Sequence, residues 1–184
     1  QYDQKLVQEY FPLETLLPNL LGTFEDIFSL HIKEVSVNPD QSWHDSVKCY
    51  AVYDNTSDNV CNLIGHFYVD LYPRDGKYGH AAAFTLKPAY FPTTNSGDST
   101  RSTPVSAMVC NFTRPTKEKP SLLTFGEVET FFHELGHIFH QLLSINRFAM
   151  FSGTSVELDF VECPSQALEN WCYEEEFLTR ISSH

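Results

Sequence analysis

Apolar residues recur every three or four positions along the first 30 residues of the chain. The stretch "DQKLVQEYF" is amphipathic, and "LETLLPNLLGTFEDIFSL" continues the same spacing after Pro12. This period is typical of helices that bury one face. Proline fits the first turn of a helix, so Pro18 is a possible helix start. The pattern therefore predicts a helical region over residues 1–30.

Between residues 31 and 113 the pattern changes to an alternation of polar and apolar positions. The stretches "KCYAVYD" and "LIGHFYVDLY" are rich in Val, Tyr and Phe and flank the polar "NTSDN", which predicts a β-hairpin. Two more strands are predicted in "GHAAAFTL" and "PVSAMVCNF", joined by the loop-like "KPAYFPTTNSGDSTRST". We therefore expect residues 31–113 to form a small sheet.

Residues 114–184 return to helical spacing after the polar connector "RPTKEKPSL". Thr124 and Glu127 fit a capping box at the start of "FGEVETFFHELGHIFHQLLS", which predicts one long helix. "INRFAMFSGTSV" breaks the period, and "ELDFVECPSQALENWCYEEEFLTR" resumes it, with Pro164 either in the first turn or at a kink. The predicted class is α+β, as a single unit over residues 1–184.

Charge and composition narrow the classes of function. Of 184 residues, 12 are Lys or Arg and 24 are Asp or Glu, and the net charge of -12 repels nucleic acids and anionic membranes. No run of about 18 apolar residues predicts a membrane span. Five cysteines without a CxxC pair indicate reduced, cytoplasmic thiols, although sequons at Asn55 and Asn111 point toward a secreted chain. The start at Gln1 and the end in an uncapped helical pattern lead us to expect a piece of a larger protein.

The stretch "HELGH", residues 133–137, falls inside the predicted long helix. Residues four apart lie on one helix face, about 5 to 6 Å apart, so His133 and His137 can bind the same metal ion. Glu134 is offset by one residue and points beside that ion, where its carboxylate can accept a proton from a metal-bound water. This HExxH pattern predicts one catalytic zinc ion per chain.

Two other interpretations of the motif remain open. Paired histidines can simply hydrogen-bond within a core, and Glu134 with His137 also fits half of a carboxylate-bridged di-iron site. The di-iron site needs a second ExxH, which the chain lacks. His140 follows on nearly the same face, but about 10 Å along the axis from His133, so we expect it to be a neighbour and not a ligand.

Catalytic zinc takes three protein ligands and keeps a fourth position open. A third histidine close downstream would stand at position 143, where the chain has Leu143. Glu157, Glu162 and Glu169 are the remaining candidates. Apolar neighbours in "DFVECP" favour Glu162, because an unpaired buried carboxylate is costly. Spacing alone leaves the choice open, since Glu157 could be an exposed charge and Glu169 could orient a ligand histidine.

Four stretches, "EYFPLE", "GHFYVDLYPRDGKYGHAA", "HELGHIFHQLL" and "FSGTSVELDFVECPSQALENW", together resemble the thimet oligopeptidase and neurolysin family of zinc oligopeptidases. The match runs in order over nearly the whole chain. The resemblance implies that His133, His137 and Glu162 bind zinc and that Glu134 is the general base. It also implies the zincin-type core of a larger, mostly helical, two-lobed peptidase. A substrate-supporting segment that the family carries after the metal site is not in this sequence.

The predicted function is therefore zinc-dependent hydrolysis of short oligopeptides, with Glu134 as the base. We expect a cytoplasmic, monomeric full-length protein, and a mitochondrial or a secreted location stays an open alternative. The expected partners are short peptides, with no nucleic-acid or membrane partner. The strand in "PVSAMVCNF" is expected to present an edge to which an extended substrate adds by backbone hydrogen bonds. The alternative is a non-catalytic zinc-binding fragment or interaction module cut from such an enzyme.

Overall fold

The computed structural model describes residues 3–56, 62–92 and 100–183. Five strands form one mixed sheet, and the helices precede and follow it in the chain. The architecture is α+β, as predicted. The elements are, in order, α1 (Gln4–Gln8), α2 (Leu13–Phe28), β1 (Leu30–Val35), β2 (Lys48–Asp54), β3 (Asn62–Asp70), β4 (Ala82–Lys87), β5 (Val105–Val109), α3 (Phe125–Leu143), α4 (Cys163–Glu169) and α5 (Glu175–Ile181).

The strands lie side by side in the order β1-β2-β3-β5-β4. β2 and β3 pair antiparallel, which confirms the predicted hairpin. Its turn is described only at Asn55 and Thr56, and the rest of the predicted "NTSDN" turn lies outside the described residues. β3 runs parallel to β5, and β4 runs antiparallel to β5. β1, which the sequence pattern did not single out as a strand, forms the other edge beside β2.

The expectation that the strand in "PVSAMVCNF" presents an edge is wrong. β5 pairs with β3 on one side and with β4 on the other, so both of its hydrogen-bonding edges are occupied. Among the described strands, the edge of the sheet on this side belongs to β4. The parallel pairing of β3 with β5 causes the difference. After β3 the chain first forms β4 at the edge of the sheet, and it then returns to form β5 between β3 and β4.

Pro18 does not start a helix. α2 begins at Leu13, where Pro12 is the N-cap, and Pro18 lies inside the helix. An internal proline removes one backbone hydrogen bond. The first turn nevertheless forms because Leu13, Leu16 and Leu17 are buried in the core, and tertiary packing outweighs the local cost.

The second helical segment is shorter than the sequence pattern predicted. Residues 157–162 form turns, α4 begins at Cys163 with Pro164 in its first turn, and a 3-10 helix over Asn170–Tyr173 separates α4 from α5. Proline at the first turn needs no amide partner, which is why the helix starts there. The apolar spacing before it comes from Leu158 and Phe160, which are exposed.

The core lies between the sheet and the helices α2 and α3. Phe24 of α2 stacks on Phe139 of α3 with ring centroids 4.7 Å apart, and Phe67 of β3 contacts the same ring. α3 contacts β3, β4 and β5, and it also packs against α4. Within the described part of the chain, no helix is long and apolar enough to cross a membrane. The described cysteines are free thiols: Cys49, Cys110, Cys163 and Cys172.

Candidate metal centre

Thr124 begins α3 with the predicted capping box. Its hydroxyl accepts a hydrogen bond from the Glu127 amide at 3.2 Å, and the Glu127 carboxylate accepts one from the Thr124 amide at 2.7 Å. This exchange satisfies amide groups that the start of a helix leaves free. The HExxH motif then lies in the middle of a well-anchored helix.

Three potential ligands converge between α3 and α4. The Nε2 atoms of His133 and His137 are 3.0 Å apart. Glu162, the N-cap residue of α4, places its Oε2 atom 3.1 Å from the first Nε2 and 3.0 Å from the second. Ligands held at about 2.0–2.1 Å from a tetrahedral zinc ion lie roughly 3.3–3.4 Å from one another. The triangle therefore has nearly the size, and the N and O donor atoms, of a zinc site, and these three residues could hold a metal ion.

The structure distinguishes the three candidate glutamates that the sequence left open. Glu162 joins the two histidines. Glu157 is exposed and lies outside the group. Glu169 contacts His133 from the other side of its ring: Oε1 is 2.5 Å from Nδ1. A carboxylate on Nδ1 holds the proton there and leaves the Nε2 lone pair free for a metal.

Gly136 allows α4 to approach α3 closely enough for this arrangement. A Cβ atom at Gly136 would lie 2.7 Å from the Cα atom of Ser165. The hydroxyl of Ser165 in turn lies 3.0 Å from Oε2 of Glu162, where it can donate a hydrogen bond. Sequence reasoning missed both the close contact and the serine. The glycine inside the motif was the one available signal for the contact.

Glu134 lies next to the triangle as a buried carboxylate, and its side chain is not part of the ligand group. Burial raises the pKa of Glu134, and the nearby Glu162 carboxylate raises it as well, while His133 and the backbone N–H of Ala83 act in the opposite direction. A carboxyl group with a raised pKa is a better proton acceptor near neutral pH. The Ala83 contact also shows that β4 runs beside this side chain.

Burial lowers the pKa of both His137 and His140, so the neutral imidazole, which is the form that binds metals, is favoured. His140 lies outside the ligand group and packs its ring edge-on against Phe160. This agrees with its predicted place as a neighbour. The Nδ1 atom of His137 is buried, and the described residues offer it no hydrogen-bond partner.

The sequence matches the family model described as Peptidase family M3 over residues 1–184. The chain belongs to peptidase family M3. Its M3 relatives include the thimet-like oligopeptidase of Dictyostelium discoideum, which is 46% identical over 100% of this chain and 26% of the relative. Saccharolysin of Saccharomyces cerevisiae is 46% identical over 99% of this chain and 25% of the relative, and oligopeptidase A of Salmonella typhimurium is 38% identical over the same shares. This M3 chain thus spans about a quarter of the length of these relatives.

Proposed function

We propose that the chain carries the metal site of a zinc-dependent endopeptidase that hydrolyses short oligopeptides. The observation that carries the proposal is the triangle of His133, His137 and Glu162, with the buried carboxylate of Glu134 beside it. Membership of family M3 and the oligopeptidase names of its relatives support peptide hydrolysis as the reaction. The chain spans about a quarter of the length of those relatives. The activity is therefore proposed for the longest natural form of the chain, meaning the longest natural polypeptide that contains this sequence.

In this proposal His133, His137 and Glu162 hold one zinc ion. When bound, zinc supplies a Lewis acid that polarises the scissile carbonyl and acidifies a water molecule. Glu134 accepts a proton from the water that attacks the carbonyl carbon and then delivers it to the leaving amine nitrogen. Glu169 fixes the ring of His133, and the hydroxyl of Ser165 orients the Glu162 carboxylate.

The edge strand β4 is the proposed support for the substrate. It takes the place that the sequence had assigned to β5, since its outer edge has no partner strand among the described residues. The hydrogen bond from the Ala83 amide to the Glu134 carboxylate supports this proposal, because it brings β4 next to the proposed base. An extended peptide that added to β4 by backbone hydrogen bonds would bring its scissile bond toward Glu134, with little dependence on side-chain identity.

We also propose that the sheet, α3 and α4 form a zincin-type core within a larger, mostly helical, two-lobed molecule. The resemblance of the motifs supports this view. The predicted cytoplasmic location, the monomeric state and the absence of nucleic-acid and membrane partners stay predictions.

The test replaces Glu134→Gln in the longest natural form of the chain. We expect zinc content equal to wild type, because Glu134 is not a ligand, and complete loss of cleavage of a fluorescence-quenched peptide. The matched control is Glu118→Gln, which changes an exposed glutamate in the connector before α3. Retained turnover by the Glu134 variant would refute the assignment of the base.

The second candidate, a zinc-binding module without activity, is favoured by the coverage of about a quarter of each relative. Zinc binding without peptide cleavage in the 184-residue chain would support this second candidate. The di-iron alternative predicts two metal ions per chain. Since the described residues contain one group of potential ligands, a single ion is expected in metal analysis.

A further inference from the structure

Asn111, one of the two sequon asparagines, does not present a free amide group. Its Nδ2 atom donates hydrogen bonds to the backbone carbonyls of Tyr78 at 3.0 Å and His80 at 3.5 Å. Attachment of a sugar would replace one of the two hydrogens on this nitrogen, so at least one of the contacts would be lost. In the structure the side chain thus binds backbone carbonyls, whereas the sequon suggests that it carries a sugar.

Asn111 projects from a rigid part of the chain. It follows β5, between Cys110, whose amide bonds the Asp70 carbonyl at 2.8 Å, and Phe112, whose amide bonds the Leu71 carbonyl at 2.8 Å. Both neighbours of Asn111 are buried. The backbone is therefore hydrogen-bonded to the end of β3 on both sides of Asn111.

The carbonyls that Asn111 binds belong to residues 71–81, the segment that crosses over the end of β5 and leads into β4. His80 is two positions before Ala82, the first residue of β4, and Ala83 follows with the amide that contacts Glu134. Tyr78 also packs its ring edge-on against Phe84 of β4, with centroids 6.0 Å apart. A shift of this segment would move the edge strand relative to the base.

A buried lysine, one residue before Tyr78, holds the same segment. The Nζ atom of Lys77 donates to the carbonyls of Asp70, Tyr72 and Cys110 at 2.9, 2.7 and 2.5 Å, and its side chain is 3% exposed. Lys77 therefore secures the crossing to the core, whereas Asn111 acts at the surface, directly before β4. The side-chain amide of Asn111 can therefore be changed without removing the contacts of Lys77.

We infer that Asn111 is a positioning residue for the edge strand β4 and, through that strand, for extended peptide substrates. The inference rests on the proposed function. If β4 loses its fixed place, the arrangement that accepts a substrate strand is populated for only part of the time. The apparent affinity for a peptide that pairs with β4 is then reduced in proportion to the populated fraction of that arrangement. A peptide too short to pair with β4 does not depend on it.

The test compares Asn111→Asp with Asn55→Asp in the longest natural form of the chain. The first variant places a carboxylate oxygen against the carbonyls of Tyr78 and His80. The second makes the same chemical change at the other sequon, which is exposed and lies at the opposite end of the sheet. Each protein is assayed for zinc content and for the cleavage of two peptides. One is a quenched peptide of about ten residues, which at about 3.3 Å per residue can span β4. The other is the shortest peptide that wild type cleaves.

For Asn111→Asp we expect wild-type zinc content, a KM for the long peptide raised about tenfold, and a kcat/KM for the shortest peptide within about twofold of wild type. Asn55→Asp should match wild type on both peptides. Equal losses on both peptides, or no loss on either, would overturn the inference. If Asn111→Asp loses zinc, Asn111→Ala, which removes the donor without adding charge, is judged by the same criteria. A wild-type protein that cleaves neither peptide would overturn the proposed function, and the inference with it.

Discussion

The Nδ1 atom of His133 lies 2.5 Å from the Oε1 atom of Glu169, and the Nε2 atom of the same ring lies 3.1 Å from the Oε2 atom of Glu162. α4 thus contacts both nitrogens of one imidazole, with its N-cap residue on one side and its last residue on the other. Glu169 orients the ring and holds its proton on Nδ1, so the Nε2 lone pair is free on the side where Glu162 lies. The candidate metal site is therefore built from helix packing as well as from the motif itself.

Glu169→Gln tests the orienting role of this carboxylate. The amide keeps the size of the side chain but is a weaker partner for the ring N–H, so we expect metal affinity to fall about 10- to 100-fold. Competition with a chelator of known affinity measures the change. Glu157→Gln, at an exposed glutamate outside the ligand group, should leave the affinity unaltered. Equal affinities in the two variants would count against the role of Glu169.

Gly136→Ala tests the close contact between α3 and α4. The new methyl group would meet the Cα atom of Ser165, so α4 has to move and to carry Glu162 away from the histidines. We expect a loss of about 1–3 kcal/mol in the free energy of unfolding, together with weaker metal binding. Both are measured on the same preparation, by urea unfolding and by chelator competition.

Gly126→Ala is the matched control in the same helix. Apart from its chain neighbours and the backbone of its own helix, no atom of the described residues lies within 4 Å of a Cβ built at this glycine. Alanine is the better helix former, by up to about 1 kcal/mol, so the variant should be as stable as wild type or slightly more stable. A Gly136 variant with the same behaviour would show that the contact with α4 does not constrain the site.

The sequence predicted α3 well because its signals are local. The capping box, the 3.6-residue period and the break after "HQLLS" all lie within one continuous stretch, and α3 runs from Phe125 to Leu143. The histidine pair follows from helix geometry alone. The selection of Glu162 from three glutamates needed the family resemblance, because it depends on how α4 packs against Gly136.

The edge of the sheet could not be predicted from local pattern. A strand becomes interior when residues far away in sequence pair with it, as His66 does with Val105. "PVSAMVCNF" has the same alternation whether one or both of its sides are paired. The error over residues 157–162 has a similar origin, since Leu158 and Phe160 supply helical spacing but are exposed.

Arg101→Ala tests the anchor at the far end of the HExxH helix. The guanidinium donates to the carbonyls of Leu142 and Ser144 at the end of α3, at 2.5 and 3.0 Å, and to that of Ile64 in β3 at 2.8 Å. Its removal leaves several carbonyls without donors, and we expect a loss of about 2–4 kcal/mol in unfolding free energy. Arg180→Ala breaks an exposed ion pair with Asp26 and should cost about 0–1 kcal/mol. Similar losses in urea unfolding would contradict the anchoring role.

The carboxylate of Asp70 makes the free energy of unfolding depend on pH in the acid range. Its carboxylate is 1% exposed. Burial raises the pKa of this group, but hydrogen bonds from Arg74, Trp43 and Lys77 outweigh burial and bring the pKa to about 2, from an ordinary 3.8. The unfolded chain takes up the proton at higher pH than the folded one, so the stabilisation is complete above about pH 4 and is lost as pH falls toward about 2.

Asp70→Asn removes this dependence. The shift of nearly two pKa units corresponds to about 2 kcal/mol, and the buried ammonium of Lys77 loses its counter-charge, so the variant is expected to be several kcal/mol less stable at pH 7. Urea unfolding of metal-free wild type and variant at pH 7, 4 and about 2.5 measures the difference. Because all other titrating groups are common to both proteins, the gap in unfolding free energy should be widest at pH 7 and should narrow by about 1.5 kcal/mol at the lowest pH. A gap of constant size would show that the Asp70 carboxylate is not held ionised by Arg74, Trp43 and Lys77.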